Sequence, residues 1–252
     1  MPDDNPETVA KVDEYGILHS CAGIFQLRSY IKRLATLMHT EFKLYPRYIE
    51  PHMTNGLIIP AFAFVDGQLG LEQHYGEKPR TECFGEGEIL ATCTGRQIGA
   101  KPLSLPGLVR QTMPLAQWKK VFPKLTRSNI ALTVPFGITS RTSIRAKYDH
   151  FDVDTYQKFY QALAKFGITD KNCKFIPCFE NREITVPNKN IRIGYYQKSG
   201  EILACVANAG KKVLRISLDK KFKNLINWET GKPMNDSFTL DPGDFRLIYI
   251  KK

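Results

Sequence analysis

Residues 52–75, HMTNGLIIPAFAFVDGQLGLEQHY, gather two carboxylates and two imidazoles in one short stretch: Asp66 and Glu72 six residues apart, His52 upstream, His74 just beyond, and Tyr75 after it. Two carboxyl groups and an imidazole in one cleft can perform general acid–base work on a glycosidic bond. A carboxyl flanked by apolar groups keeps its proton to higher pH, while a solvated partner stays ionised. The same groups can also hydrogen-bond sugar hydroxyls without reacting. A structural alternative stands beside both: Asp66 caps a turn with Gly67, Glu72 faces solvent and His52 is a satisfied structural histidine.

Chemistry at these positions requires elements that present them together. The continuous apolar character of LIIPAFAFVDG suits a strand covered on both faces. If RYIEPH and IIPAFAFVD are neighbouring parallel strands, His52 and Asp66 end them, and Glu72, His74 and Tyr75 lie in the loop beyond, because chemistry in parallel α/β domains collects at the carboxyl ends of strands.

Upstream, residues 25–42 place Leu27, Tyr30, Ile31, Leu34, Leu37 and Met38 on one helical face with Arg28, Lys32 and Arg33 opposite. A second helix is expected over 114–125, on the stripe Leu115, Trp118, Phe122 and Leu125 with Pro114 in its first turn. A third is expected over 154–166, with Asp154 as N-cap, Gln157 completing a capping box and Gly167 as the stop. NIALTVPFGIT reads as a buried strand or a loop.

Beyond residue 172 the helical period disappears. CKFIPCF, IRIGYYQ, ILACVAN, VLRISLD, NLINWET and FRLIYIK are short β-rich runs separated by turn signals such as KSGE, NAGKK, ETGKP and DPGD. In KVLRISLD, Leu214, Ile216 and Leu218 alternate with Arg215 and Ser217, the pattern of a strand with one face on a core and one in water. The fold class expected is therefore α/β plus all-β, with a mixed region over 1–171 and a small antiparallel β-sandwich over 172–252.

Composition narrows the function classes. The 252 residues are 42% apolar and 24% charged, with no apolar run approaching the roughly 20 residues of a membrane span. The formal charge of +11 is uneven: residues 1–90 hold 8 Lys/Arg against 13 Asp/Glu, and residues 91–252 hold 28 against 12. The lysines of the basic part are spread thinly and not interleaved with aromatics, which reads as a solvated surface and not a nucleic-acid interface. Six cysteines lie far apart; the one close pair, Cys173 and Cys178, lacks the further ligands of a zinc site, so free thiols and no metal are expected. G-x-S-x-G, Walker, H-E-x-x-H and dinucleotide motifs are all missing, and no cofactor is expected. Tyr75, Trp118 and Tyr148 are aromatic candidates for stacking on a sugar ring, although Trp118 also belongs to the helical stripe.

The run H-M-T-N…P-A-F-A-F-V-D-G…L-E-Q-H-Y, the helical segment after it and the tail N-W-E-T-G-K-P-M…L-D-P-G-D-F-R-L-I-Y-I together resemble the C-terminal half of an uncharacterised bacterial glycoside-hydrolase-like family. The resemblance covers about residues 12–252. It implies a (β/α)8 barrel followed by a small β-sandwich, and a carbohydrate substrate cleaved by carboxylate acid–base chemistry. A His and an Asp plus Glu end the late barrel strands in such proteins, which carries catalytic roles onto Asp66 and Glu72 and a sugar-binding role onto His52. GLEQ stands where the family more often has an Asp-Gly-Glu-Gln-like run. His74 and Tyr75 are the further substrate-binding candidates.

A closed barrel takes about 250 residues, and fewer than 175 precede the β-rich tail. The expectation is a partial barrel-like region whose partner is the missing N-terminal portion of the same protein. The resemblance implies a secreted or periplasmic full-length parent, whereas the opening MPDDNPETVAKVDEYG carries no export signal. The alternative from a different class is a non-catalytic carbohydrate-binding or interaction module.

Overall fold

The computed structural model describes residues 10–20, 23–42, 48–52, 59–71, 80–92, 99–104, 115–140 and 152–251. The chain forms two compact units, Met1–Gly70 with Gly95–Pro102, and Leu71–Thr94 with Leu103–Lys252.

The first unit opens with the hairpin β1 (Ala10–Val12) and β2 (Leu18–Ser20), whose turn is organised by the Asp13 carboxylate accepting the Tyr15 and Ile17 amides. Helix α1 (Ile24–Thr40) follows as expected from its spacing, with Ile31 and Ala35 buried and Leu27, Leu34 and Met38 packed beside them. Tyr30, expected on the same face, is 66% exposed, and half-buried Arg28 instead lies over the Phe64 ring at 5.3 Å. The planar guanidinium can lie on an aromatic face as a cation–π contact, so a charged residue can occupy this side of the helix.

The expected strand in IIPAFAFVD is a correction. Residues Ile59–Phe64 form a 3-10 helix, and the strand β3 (Gly67–Gly70) begins only after Asp66. Pro60 offers no donor to a ladder, and a short continuous apolar run has no period by which strand and helix can be told apart.

The second unit contains the short helices α2 (Arg80–Cys83) and α3 (Glu86–Thr92) and, from Leu103, the end of strand β4 (Lys101–Ser104). Helix α4 (Leu115–Thr133) comes next, then a 3-10 turn (Val134–Phe136) and β5 (Thr139–Ser140). Leu103 and Ser104 pair in parallel with Thr139 and Ser140, so α4 is the crossover of a β-α-β unit.

Helix α4 runs eight residues past the expected end at 125, through NIALT. Ile130, Ala131, Leu132 and Thr133 are all at or near zero exposure, so this turn is buried on every side. A helix buried all round shows no polar stripe, which is why the sequence reads there as a strand or loop. Pro123 lies inside the helix, where it removes one backbone donor from the ladder.

Helix α5 (Val153–Phe166) is capped by Asp152 and not by Asp154. The Asp152 carboxylate accepts the Thr155 amide at 3.1 Å and the Thr155 hydroxyl, satisfying a first-turn donor. At the other end Gly167 takes φ +79 and closes the helix as expected.

The C-terminal part comprises β6 (Lys174–Ile176), β7 (Ile191–Lys198), β8 (Glu201–Asn208), β9 (Leu214–Ser217), β10 (Ile226–Asn227), β11 (Lys232–Pro233), β12 (Ser237–Leu240) and β13 (Phe245–Lys251). Six of these form one antiparallel sheet in the order β11-β10-β13-β8-β7-β6, and β9 and β12 form a second. Alternation along β8 and β13 sends Leu203, Cys205, Ala207, Phe245 and Leu247 to one face, against Ile130 and Val134 and against Tyr156, Phe159 and Leu163 of α5. The opposite residues, Ile202, Ala204, Val206, Ile248 and Ile250, pack with Ile216 of β9 and Leu240 of β12. ILACVA is apolar throughout because both its faces are covered, whereas β9 alternates because its outer face is wet: Arg215 and Ser217 are exposed and Ile216 is buried.

Two positions fix local geometry in this unit. Gly194 of β7 passes so close to the 3-10 turn that an added Cβ would lie 2.5 Å from the Pro135 carbonyl oxygen and 2.7 Å from its Cα. Asn208, with no exposed surface, donates to the Lys212 and Leu240 carbonyls at 2.9 and 3.0 Å and accepts the Gly210 amide at 2.9 Å. Gly194→Ala is expected to lower stability by about 2–3 kcal/mol through backbone displacement. Asn208→Ala, which strands the buried Leu240 carbonyl and Gly210 amide, is expected to cost about 2–4 kcal/mol. Urea unfolding measures both, and a midpoint unchanged in either variant contradicts the corresponding contact.

Candidate functional site

In the first unit, residues 48–52 run alongside β3. The Leu69 amide donates to the Pro51 carbonyl at 3.0 Å, and His52 forms a parallel bridge with Leu69. Ile49 makes the joint at the other end. Its carbonyl accepts the Asp66 and Gly67 amides at 2.9 and 3.2 Å, and its own amide donates to Asp66 Oδ2 at 2.9 Å. The Asp66 carbonyl in turn accepts the Lys101 amide at 2.9 Å. Asp66 therefore stitches three segments of this unit together.

This placement differs from the sequence expectation in two respects: residues 48–52 make a single bridge and do not form the strand expected in RYIEPH, and the order of the polar residues along β3 is changed. His52 stands level with Leu69, one residue before the carboxyl end of β3, but Asp66 leads into that strand and does not end it. At about 3.3 Å per residue, Asp66 lies roughly 10 Å down the strand from the level of His52. The residue that leaves the carboxyl end is Leu71. Leu71 is fully buried and holds φ +62, a left-handed conformation that a bulky residue adopts only when its surroundings enforce it. Glu72, His74 and Tyr75 lie outside the described residues, as does Tyr148, and nothing is described of the Trp118 side chain.

A polar cluster that sequence reasoning did not single out lies in the second unit, at the carboxyl ends of β4 and β5. The Ser104 and Ser140 hydroxyls are 3.2 Å apart, and Asn129 Nδ2 donates at 2.7 Å to both Ser140 Oγ and the Tyr156 hydroxyl oxygen. The Tyr160 hydroxyl donates to the Ser140 carbonyl at 2.7 Å. Burial pushes the Tyr160 phenol well above the ordinary tyrosine range, reinforced by Tyr156, so its proton stays in place. The cluster fastens α4 and α5 to the strand ends and offers no group that titrates near neutrality. Its only sequence signal was the Ser-Asn pair interrupting the apolar run of α4.

Cys173, Cys178 and Cys205 hold their protons more tightly than an ordinary thiol. Among the described residues Cys83, Cys173, Cys178 and Cys205 form no disulfide, and Cys21 and Cys93 lie outside the described residues. Burial pushes the Cys178 thiol up to about 12 and the fully enclosed Cys205 thiol further. A thiol held protonated is a poor nucleophile and a poor metal ligand. Among the described residues no group of three His, Cys, Asp or Glu is placed to hold a metal ion, and no helix is long and apolar enough to cross a membrane.

No protein-family model and no curated protein matches the chain. Among solved structures it is similar to a noncanonic maltogenic alpha-amylase, AmyB, from Thermotoga neapolitana, with 11% identity and a TM-score of 0.45 over 99% of this chain and 73% of that one. It is similar to a GH30 endoxylanase from Clostridium papyrosolvens C71, with 10% identity and a TM-score of 0.44 over 95% of this chain and 63% of that one. It is also similar to BpGH86A, a β-porphyranase of glycoside hydrolase family 86 from the human gut bacterium Bacteroides plebeius, with 10% identity and a TM-score of 0.47. There the match covers 95% of this chain and 54% of that one.

Two outcomes follow from this geometry. Asp66→Ala removes the acceptor of the Ile49 amide and is expected to cost about 1–2 kcal/mol. Hydrogen exchange should show the Ile49 amide losing protection, and unchanged protection contradicts the contact. The second outcome concerns alkaline pH. The unfolded chain releases its thiol protons near the ordinary value of about 8.5, whereas the folded chain holds those of Cys178 and Cys205, so the unfolded state binds fewer protons above that value. Stability should fall as pH rises from 8 to 10.5, by up to about 1.4 kcal/mol per pH unit for enclosed Cys205. Urea midpoints at the two pH values measure the slope, and Cys205→Ala should flatten it.

Proposed function

We propose that this chain is a glycoside-hydrolase-like protein, the C-terminal portion of one, acting on glycans by carboxylate acid–base chemistry. In this reading residues 1–171 are a partial (β/α) barrel-like region, and residues 172–252 form a small antiparallel β-sandwich. The observation that carries the reading is the backbone at the end of β3. His52 stands in parallel register on Leu69, and the strained Leu71 turns the chain one residue before Glu72. Strain of this kind is retained where a site needs a side chain aimed against local preference. Glu72 and Asp66 take the catalytic roles, and His52, His74 and Tyr75 hydrogen-bond or pack against the sugar.

A second reading, a non-catalytic carbohydrate-binding or interaction module, is favoured by one observation: Asp66 uses Oδ2 to hold the Ile49 amide. A carboxylate in that position serves the backbone whether or not it meets a substrate.

The test is turnover of a panel of aryl glycosides by the longest available form of the protein. Glu72→Gln should lower any turnover by about a hundredfold or more, the range of general acid–base catalysis, with the folded spectrum unchanged. Turnover that survives both Glu72→Gln and Asp66→Asn overturns the catalytic assignment. Glycan-array binding that persists in both variants without turnover selects the module reading.

A further inference from the structure

The second unit contains a cavity of about 460 Å³ between α5 and the C-terminal sheet that neither the acid–base residues nor the polar cluster uses. Its volume falls within the range of small-molecule sites, roughly 300–1,000 Å³. Its accessible apolar surface is the indole of Trp228 and Ala162 of α5, backed by Phe159, Phe245 and Leu247, which are themselves buried in the core. Trp228 is held rigidly there, its Nε1 donating to the Ala162 carbonyl at 3.0 Å and its ring stacked on Tyr249 at 5.1 Å between centroids.

The charges around this surface are unequal in what they leave for a ligand. Arg127 is already engaged, with Glu229 at 2.7 Å and Asp244 at 2.5 Å, so this ion-pair network takes up both the guanidinium and the one carboxylate that lines the cavity. Lys158 and Lys165 are different. Both line the cavity from α5, both are exposed, and among the described residues neither has a carboxylate within ion-pair distance. Gln161 lies between them on the same side of the helix, with an amide able to donate. The Lys165 ammonium rests over the Trp228 ring at 5.0 Å, a contact that a flexible lysine gives up readily when an anion is offered.

We propose that this cavity binds a small amphiphilic anion, an aromatic ring bearing a single carboxylate. The ring takes the place of the Lys165 ammonium over the Trp228 indole, beside Ala162, and the carboxylate is bound by Lys158, Lys165 and Gln161. A single negative charge suits the site. The two lysines add two positive charges, and Arg127 with Glu229 and Asp244 contributes a net negative one. The proposal is independent of the glycoside reading, because no residue of β3 or of the 48–52 segment takes part.

The probe is 1-naphthoate, titrated into the full 252-residue chain carrying Trp118→Phe, so that the remaining indole emission comes from Trp228. Saturable quenching with one site per chain is expected. The neutral analogue 1-naphthalenemethanol should bind at least about tenfold more weakly, as should the probe to the Lys158→Ala/Lys165→Ala variant, since each loses the charge-assisted hydrogen bonds. Isothermal titration calorimetry on the chain with both tryptophans gives the same comparison if Trp118→Phe perturbs folding. Absence of saturable binding, equal affinity for the neutral analogue, or unchanged affinity in the double lysine variant each overturns the proposal.

Discussion

The second unit depends on one guanidinium. Arg127 projects from the crossover helix α4 and reaches two turns near the start of β13, the one after β10 and the one that leads into β13. Nε and Nη1 meet Asp244 and Glu229, Nη2 donates to the Phe245 carbonyl at 2.7 Å, and the guanidinium carbon lies 4.4 Å above the Phe245 ring. Burial works against the charge, yet the two carboxylates more than offset it and push its pKa further above the ordinary arginine value. Lysine cannot take this role, since a point charge on a flexible stem cannot satisfy two carboxylates, a carbonyl and a ring face from one position. The acids at 229 and 244 are far from position 127 in sequence, so these contacts exist only when the tail is folded against the helix. Arg127 thus links the β-α-β segment to the antiparallel tail within a single cooperative unit.

Much of the second unit was legible in the sequence because its patterns are periodic. Six β-rich runs between turn signals became strands, and α5 was recognisable from Tyr156, Phe159 and Leu163 and from Gly167. The departures over Ile59–Phe64 and Ile130–Thr133 share one cause. Where burial is complete on all sides, as over Ile130–Thr133, or where an apolar run is short and holds a proline, as over Ile59–Phe64, there is no polar face to set the period. The N-cap was misplaced by two residues because Asp152 and Asp154 are chemically equivalent in sequence. Only the contact of the Asp152 amide with Thr126 Oγ1 at 2.7 Å fixes which one turns the chain.

The candidate site was legible to a smaller degree. Parallel pairing is legible in RYIEPH and IIPAFAFVD, but neither run forms the expected strand: His52 makes a single parallel bridge to Leu69, and the 3-10 helix Ile59–Phe64 displaces the strand start to Gly67 and leaves Asp66 ahead of it. Asp66 also shows why residue type alone underdetermines role: a carboxylate ahead of a strand is equally an acid–base group and a clasp for a backbone amide. The serine, asparagine and tyrosine cluster around Ser140 carried almost no signal in sequence, since its members come from four separate elements.

The outermost strands of the six-stranded sheet have a consequence for how copies of this chain behave together. One rim is the two-residue β11, made of Lys232 and Pro233, and the other is the three-residue β6, which opens with Lys174. An imino acid withholds a donor, an ammonium repels its like, and neither rim is long enough to template an added strand. The broad apolar sheet between them is thereby shielded from edge-to-edge polymerisation, and crowded solutions of this unit should resist the fibrillar route to aggregation.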